Sequence, residues 1–567
     1  MNDHKNLILA VVLSALVLLG WSFVANKYFP TANPPSTKII AGKQQPLPQP
    51  NAQPSGPATP RKLQSVAAVL GSSPRVAIRT PSLMGSINLK GAQIDDLLLL
   101  KEKQTLAKDA QPVRLLSPLG TPGGYIAEFG WTAQRGQAPA LDAQWTSDSS
   151  VLSPGHPVTL TTETADGTRY EMKIAVDDGY LFTIQQSVTN GSGAPLTVRP
   201  IGLVSRATQS ADRSMWTNHV GPIGVFDGNA NYDVNWKDLD QGKAESFDKT
   251  GWLGFTDKYW LTALVPDGGA SSEFRKAANG GYQADYTAAP ATVAPGQTFS
   301  TNVRLFAGVK EKAWLDQYEN AGIPLLTRAI DWGWFRWFMI PIFDLLLILF
   351  HTIGNFGVAI ICLTLIVRAI MFPIAQKQFQ SMAAMRKLQP KMKAIQERFK
   401  EDKQRQQQEI MKLYQAEKVN PAAGCLPILL QIPVFYALYK VLLVSVEMRH
   451  QPFVGWIQDL SAPDPLTPVN LFGLLHFAPP AMLAIGVLPI LVGATQFVSM
   501  KLNPQPMDPA QAQMFAIMPW VLVFIMAPFA AGLQLYWITN NLLTMAQQWH
   551  LYRKFGLHLK DTHPVHT

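Results

Sequence analysis

The chain has 567 residues, of which 47% are hydrophobic and only 15% are charged, and its formal net charge is +9. This length exceeds that of a single domain, and the composition argues against a wholly water-soluble protein and favours a membrane protein with a soluble part. Both cysteines, Cys362 and Cys425, lie in or beside apolar segments of the C-terminal half, so no disulfide framework holds the large polar region together.

The N-terminal segment Leu7–Ala25 is mostly apolar, follows Lys5, and is long enough to cross a bilayer. Cleavage after Ala25 would need a small residue at position 23, where the chain has Phe23. We therefore predict that residues 1–29 form an uncleaved transmembrane anchor. Residues 30–61 are rich in Pro and Gln, which predicts an extended tether.

Residues 62–320 contain short alternating runs, such as 170–176 and 180–189, separated by Gly, Pro, Asp and Asn. This pattern predicts an all-β sandwich domain. The region contains no G-x-S-x-G, H-E-x-x-H or G-x-x-x-x-G-K-[ST] motif, so we expect neither an enzyme nor a bound cofactor or metal.

Beyond this domain the chain becomes strongly apolar. Aromatic residues crowd around Arg336, which is typical of an amphipathic helix at the membrane interface, predicted for residues 321–352. Apolar runs then predict transmembrane helix 2 in residues 353–376 and helices 3–6 in residues 420–549. With the N-terminal anchor, the sequence predicts six transmembrane helices. The last four runs are about Leu426–Val446, Pro480–Met500, Met514–Phe529 and Leu533–Trp549.

The distribution of Lys and Arg predicts the orientation. The segment from Lys377 to Lys418 has eleven Lys and Arg against five Asp and Glu, whereas the loop His450–Pro479 has no Lys or Arg. The positive-inside rule places the basic segment in the cytoplasm. Both termini, including the basic tail at residues 550–567, are then cytoplasmic. The protein is predicted to lie in a bacterial inner membrane, with its β domain in the periplasm.

The basic segment, residues 377–419, carries apolar residues at steps of 3-4-3-4, which predicts a heptad seam in a two-helix hairpin. Pro390 is expected to interrupt and kink its first helix. The hairpin is either a solvated structural element or an adaptable basic surface for ribosomal RNA or acidic lipid headgroups. The candidate contact residues are Met385, Arg386, Lys387, Lys391, Lys393 and Phe399.

Arg368 lies within the apolar run of transmembrane helix 2, which contains no carboxylate. A charge inside a membrane span is costly and is seldom incidental. Arg368 lies only five residues before Pro373, near the end of the apolar run. Its long side chain could therefore simply extend to the nearby surface of the bilayer. Alternatively, Arg368 lines a polar site together with Thr364, which lies four residues earlier on the same helical face.

Other predicted spans also carry polar residues, including a stripe along the last span. Taken alone, each of these side chains is best explained as one that forms a hydrogen bond between helices. Together with Arg368 and Thr364 they could line a water-filled cavity that keeps the arginine charged. These residues are Gln431, Gln534, Asn540, Asn541, Thr544, Gln547 and Gln548.

The order of the segments, and the motifs TLIVRAIMFPI, EKVNPAAGCLPILLQIPVFYALY and GLQLYWITNNLLTMAQQ, resemble the YidC/Oxa/Alb family of membrane protein insertases over nearly the whole chain. The resemblance implies a five-helix core with a hydrophilic groove, and a periplasmic domain of the β-supersandwich type. It also implies that Arg368 is the groove arginine, that Thr364 and Trp537 flank the substrate path, and that Gln431 lines it. Asn540 and Asn541 complete the candidate set.

The resemblance further implies an insertase and chaperone for inner-membrane proteins, which acts alone or with the Sec translocon and without covalent catalysis or nucleotide hydrolysis. The expected partners are nascent membrane proteins, the ribosome, the signal recognition particle and its receptor, the Sec translocon and the lipid bilayer. Two other classes remain open from the residues alone. A secondary transporter could hold a buried arginine, and a membrane-anchored periplasmic sugar enzyme would need only the β domain.

Overall fold

The computed structural model describes most of the chain from residue 63 to residue 554. The predicted N-terminal anchor, most of the tether and most of the basic tail lie outside the described residues. The described ranges are 39–40, 43–44, 63–133, 138–212, 218–278, 280–333, 335–417, 426–472, 474–475, 484–502 and 509–554. The backbone but not the side chain is described for residues 39–40, 43–44, 377–387, 389, 403, 426–431, 509–512 and 515.

Nineteen strands between residues 75 and 309 join into one sheet. A separate pair of two-residue strands, Ile39–Ile40 and Lys43–Gln44, lies in the tether. The strands of the large sheet are β1 (Arg75–Arg79), β2 (Leu83–Asn88), β3 (Gln93–Lys103), β4 (Pro112–Leu116), β5 (Tyr125–Ala133), β6 (Thr146–Ser147), β7 (Val151–Leu152), β8 (Val158–Glu163), β9 (Arg169–Val176), β10 (Leu181–Thr189), β11 (Leu196–Arg206), β12 (Gly221–Phe226), β13 (Asn229–Asn231), β14 (Glu245–Thr256), β15 (Trp260–Pro266), β16 (Ala270–Lys276), β17 (Tyr282–Thr287), β18 (Ala291–Val293) and β19 (Thr298–Val309).

The sheet forms because its strands alternate between buried apolar and more exposed polar residues. In β10, for example, Phe182, Ile184 and Val188 are fully buried, whereas Thr183 and Gln185 are exposed. Successive side chains of a strand point to opposite faces, so this alternation directs one face into the core. Neighbouring strands pair antiparallel, as β10 does with β19 and β5 with β11, and only β1 and β7 pair in parallel among the described strands. The large β domain is thus confirmed, while its supersandwich layering stays a prediction.

Helices dominate the C-terminal half, and three short ones accompany the sheet. The helices are α1 (Val66–Leu70), α2 (Trp236–Asp240), α3 (Lys312–Asn320), α4 (Arg336–Ile353), α5 (Phe356–Arg398), α6 (Lys403–Ala416), α7 (Leu426–Val444), α8 (Val487–Leu502), α9 (Pro509–Met526) and α10 (Ala531–Lys554). Short 3₁₀ helices lie at Leu326–Ala329 and Pro468–Asn470.

Within the described part of the chain, α4 and the first half of α5, Phe356–Gln376, are long and apolar enough to cross a membrane. Three shorter apolar helical stretches lie at Ile432–Val444, Val487–Leu502 and Ala516–Met526. The prediction of six transmembrane helices is therefore not confirmed and stays a prediction. So does the interfacial placement of residues 321–352, where the helix itself begins only at Arg336.

In the basic segment, the C-terminal part of α5 packs against α6. Leu388 and Met392 of the predicted seam are buried, as a heptad pattern requires. The expected interruption at Pro390 is wrong, since α5 continues as one helix through both Pro373 and Pro390. Packing along the seam compensates for the hydrogen bond that a proline removes from a helix.

Ion pairs and hydrogen bonds connect the β domain, and the segment that follows it, to the helices. Arg449, beyond the end of α7, pairs with Glu102 of β3 at 3.0 Å. The Asp331 carboxylate accepts hydrogen bonds from Lys440 Nζ of α7 (3.2 Å) and from the backbone N–H of His219 (3.1 Å). Lys440 is only 1% exposed, so this is a buried ion pair at the junction.

Replacing Asp331 with Asn should strongly destabilise this junction. The substitution leaves the Lys440 ammonium buried without its counter-ion, which typically costs about 3–5 kcal/mol of unfolding free energy. We expect a clearly lower midpoint of thermal unfolding for full-length protein in detergent micelles. The matched control is Asp227→Asn, because Asp227 pairs with Lys249 on the surface, where both side chains are 74% exposed. Equal midpoints for the two variants would contradict the assignment.

Glu128 of β5 should make the β domain less stable as pH rises. Burial raises the pKa of this carboxyl from 4.5 to about 7, although Gln93 Nε2 donates a hydrogen bond to it. The folded state then holds a proton that the unfolded state has released, so stability falls between about pH 4.5 and pH 7. Glu128→Gln should remove this loss, which amounts to about 3 kcal/mol at pH 8. Unfolding midpoints at pH 5 and pH 8 test this, with the exposed Glu163→Gln as control.

Candidate functional site

Arg368 lies on α5 and reaches across to α10. Its Nε donates a hydrogen bond to Asn540 Oδ1 at 2.8 Å, and its Nη2 donates to Thr544 Oγ1 at 2.7 Å and to the Asn540 carbonyl oxygen at 3.5 Å. Asn540 and Thr544 are one helical turn apart, so both face α5 from the same side of α10. We call Arg368, Asn540 and Thr544 the arginine site.

The positive charge of the arginine site has no counter-ion in the described structure. All the acceptors that hold Arg368 are neutral, and no carboxylate of a described residue lies within ion-pair distance of its guanidinium. The hydrogen bonds fix the orientation of the guanidinium and reduce the cost of burying it, but they leave its full charge. The site can therefore attract an anionic group.

Thr364 is the second residue that the sequence analysis placed on this face of α5. It is 1% exposed, and its hydroxyl donates to the Ile360 carbonyl oxygen at 2.7 Å, within its own helix. Thr364 thus lies one turn from Arg368 but makes its hydrogen bond locally, which is common for threonine in a helix.

Trp537 and Asn541 lie on another side of α10 and contact α8. Trp537 Nε1 donates to Gln496 Oε1 at 3.2 Å, and Asn541 Nδ2 donates to Thr495 Oγ1 at 3.1 Å. The Trp537 ring also meets Phe435 of α7 edge to face, with the centroids 4.8 Å apart. Polar and aromatic side chains of three helices, α5, α7 and α8, thus surround this part of α10.

Three contact residues of this region, Thr495, Gln496 and Phe435, are not among the residues predicted from the sequence. Thr544 belongs to the polar residues predicted to surround Arg368, and its spacing of four from Asn540 is the signal that pairs these two. Thr495 and Gln496 are adjacent polar residues within an apolar run, so the same criterion that selected Asn541 could have found them. The aromatic contact of Phe435 has no sequence signal, because apolar residues surround it on α7.

The predicted polar stripe of α10 does not act as one surface. Gln534 is fully buried, and its Nε2 donates to the carbonyl oxygens of Met526 and Phe529, each at 2.8 Å. Gln534 therefore stabilises the turn between α9 and α10, which is a structural role. Gln548 is buried near the end of α10. The side chain of Gln431 lies outside the described ones, so its predicted place in the groove is untested.

Several charged side chains of the hairpin contact a carboxylate or an aromatic ring. Lys391 Nζ pairs with Glu417 at 2.6 Å, and the guanidinium groups of Arg398 and Arg405 lie 5.6 Å and 5.5 Å from the ring centroid of Phe399. Lys393 is exposed. The side chains of three further candidates lie outside the described ones, namely Met385, Arg386 and Lys387.

Comparisons with known proteins identify the family. Residues 348–558 match the family model described as 60Kd inner membrane protein, and residues 75–345 match the YidC periplasmic domain. The membrane protein insertase YidC of Zymomonas mobilis subsp. mobilis is 47% identical over 96% of this chain and 94% of its own length. This chain belongs to the YidC family of membrane protein insertases.

Other relatives agree. The membrane protein insertase YidC of Methylorubrum extorquens is 43% identical over 98% of this chain and 96% of its own length. A crystal structure of an active YidC insertase covers 84% of this chain and 92% of that chain, with 18% identity and a TM-score of 0.36. The family assignment depends on the sequence matches alone. Proteins of the YidC family are inner-membrane proteins with a periplasmic domain, which here is the β domain.

A double-mutant cycle should show that Arg368 and Thr544 interact. Thr544→Val removes a hydrogen bond to a charged group, so its effect should depend on whether position 368 holds Arg or Met. We expect a coupling of about 1.5–3 kcal/mol in the free energy of unfolding in micelles. The matched control is Thr495→Val, because Thr495 pairs with Asn541 instead. A coupling below about 0.5 kcal/mol for Arg368 and Thr544 would contradict the contact.

Proposed function

We propose that this insertase transfers segments of nascent membrane proteins through a hydrophilic groove that contains Arg368. One observation supports this most directly: among the described residues, those that hold the guanidinium are neutral, so its charge stays available for a substrate. The groove would be lined by the arginine site together with Thr364, Gln431, Trp537 and Asn541.

The charge of Arg368 suits the first step, which is to receive a short extracellular segment of the substrate from the cytoplasm. Acidic groups of that segment would be attracted to the guanidinium, and the attraction is stronger in a groove than in bulk water because the effective dielectric constant is lower. Water in the groove would lower the cost of desolvating the polar segment. No covalent step and no nucleotide are needed.

The second step is the transfer of the apolar span to lipid. Trp537 and Phe435 provide an aromatic surface beside the arginine site, along which an apolar helix can slide. Helices around it expose large apolar side chains outward, among them Ile370, Trp520 and Phe524. A span that leaves the polar groove therefore meets an apolar environment, and burial of its apolar surface in lipid drives insertion.

The hairpin would provide the cytoplasmic contact. With the positive-inside orientation, the hairpin and both chain termini are cytoplasmic. Lys393 and Arg398 are exposed and not engaged in ion pairs among the described residues, so they remain available to ribosomal RNA or a targeting factor. The partners proposed here are the ribosome, the signal recognition particle and its receptor, and the Sec translocon for larger clients.

Arg368→Ala should impair the insertion of clients that have an acidic extracellular segment. It should impair the insertion of clients that have a neutral segment less. Loss of one charged contact typically costs about 1.5–3 kcal/mol, so insertion of the acidic client should slow by about tenfold or more. Protease-protected insertion into vesicles that resist spontaneous insertion measures this rate. Arg368→Lys should retain part of the activity for the acidic client, because it keeps the charge but not the planar hydrogen-bonding group.

The matched control is Arg398→Ala, which removes an exposed arginine from the hairpin in an assay without ribosomes. If Arg368→Ala slows both clients equally, the arginine acts on the groove as a whole and does not attract acidic groups. If Arg368→Ala and wild type insert both clients at the same rate, the proposed role of Arg368 is wrong.

A further inference from the structure

A polar cavity lies between α3, the 3₁₀ helix at Leu326–Ala329 and the start of α4. Its volume is about 190 Å³. Its polar and aromatic lining residues are Lys312, Asp316, Glu319, Thr327, Trp332 and Arg336. We call this the α3–α4 cavity.

The charges of the α3–α4 cavity are only partly neutralised by one another. Lys312 Nζ is held by Asp316 at 2.6 Å and by Asp344 at 3.3 Å. Glu319 Oε2 accepts one hydrogen bond, from the Thr327 backbone N–H at 2.8 Å, and has no ion pair among the described residues. Arg336 has neither a hydrogen bond nor an ion pair to any described residue. One cation and one anion thus line the same cavity without pairing with each other.

The cavity also lies where an apolar helix begins. Arg336 is the first residue of α4, which is long and apolar enough to cross a membrane. Beyond it, α4 exposes large apolar side chains, with Trp337 70% and Ile348 61% exposed. Tryptophan and arginine next to an apolar helix are typical of the boundary between lipid headgroups and acyl chains. A ligand of this cavity is therefore expected to come from the membrane surface.

We propose that the α3–α4 cavity binds the headgroup of a zwitterionic phospholipid that carries a primary ammonium group. The Arg336 guanidinium would hold the phosphate, for which its planar set of donors is well suited, and the Glu319 carboxylate would hold the ammonium. The acyl chains would lie along the exposed apolar side of α4. A cavity of about 150 Å³ holds benzene, so about 190 Å³ accommodates a phosphoethanolamine group of similar size.

The two unpaired charges distinguish this ligand from its competitors. An anionic glycerol headgroup or a free phosphate ion would satisfy Arg336 but would leave Glu319 facing negative charge. A trimethylated ammonium cannot donate hydrogen bonds to Glu319, although it keeps the charge. The expected order of affinity is phosphatidylethanolamine, then phosphatidylcholine, then phosphatidylglycerol.

The test is lipid binding to the delipidated full-length protein in detergent, measured by native mass spectrometry with each of the three lipids. Arg336→Gln should weaken binding of all three lipids by about tenfold, because each loses its phosphate contact. Glu319→Gln should weaken phosphatidylethanolamine selectively and remove its advantage over phosphatidylglycerol. The matched controls are Arg169→Gln and Glu171→Gln, which remove an ion pair from β9, outside the cavity lining.

Several outcomes would overturn the proposal. Wild type that binds phosphatidylglycerol as tightly as phosphatidylethanolamine would exclude recognition of a zwitterion. Variants that bind all lipids as wild type does would exclude the cavity as the site. Arg336→Lys should retain part of the affinity, and a loss as large as that of Arg336→Gln would indicate packing instead of charge. Soluble phosphoethanolamine should compete only weakly, and binding as tight as that of the lipid would point to a soluble ligand.

Discussion

The structure depends most on how a positive charge is held among apolar helices. Arg368 is bound by an amide oxygen, a hydroxyl and a backbone carbonyl, all from one face of α10. A carboxylate there would give a neutral pair, which has little attraction for a charged substrate. Neutral acceptors instead solvate the guanidinium and preserve its charge. The close packing of α5 against α10 is therefore both a structural and an electrostatic requirement.

At the junction with the β domain, by contrast, buried positive charges are paired with carboxylates. There Lys440 is neutralised directly by Asp331, and Arg449 by Glu102. Paired charges suit a contact that has to hold two parts of the molecule in one arrangement, since removal of either partner leaves a buried charge. Buried charges are thus paired where the β domain contacts the helices, and left without a counter-ion at Arg368, where the interaction with substrate is proposed.

Much of this organisation could be predicted from sequence. Alternation of apolar residues predicts the β domain, and the heptad seam predicts the hairpin, because both patterns follow directly from the periodicity of the backbone. Arg368 was found because a charge in an apolar run is conspicuous. The contacts of Arg368 with Asn540 and Thr544, and that of Trp537 with Gln496, are harder to predict, because each forms only when helices far apart in the chain pack together. The continuity of α5 through Pro390 was missed because tertiary packing outweighs a local preference.

Continuity of α5 has a mechanical consequence. The helix has 43 residues, and about 45 Å separate Arg368 from its end at Arg398. Pro373 and Pro390 each remove one backbone hydrogen bond, so they are the most compliant points of an otherwise stiff rod. A load applied to the far end of α5 is therefore expected to bend this helix at the two prolines and not between them. Both points lie C-terminal to Arg368, so bending there leaves the guanidinium on the part of α5 that packs against α10.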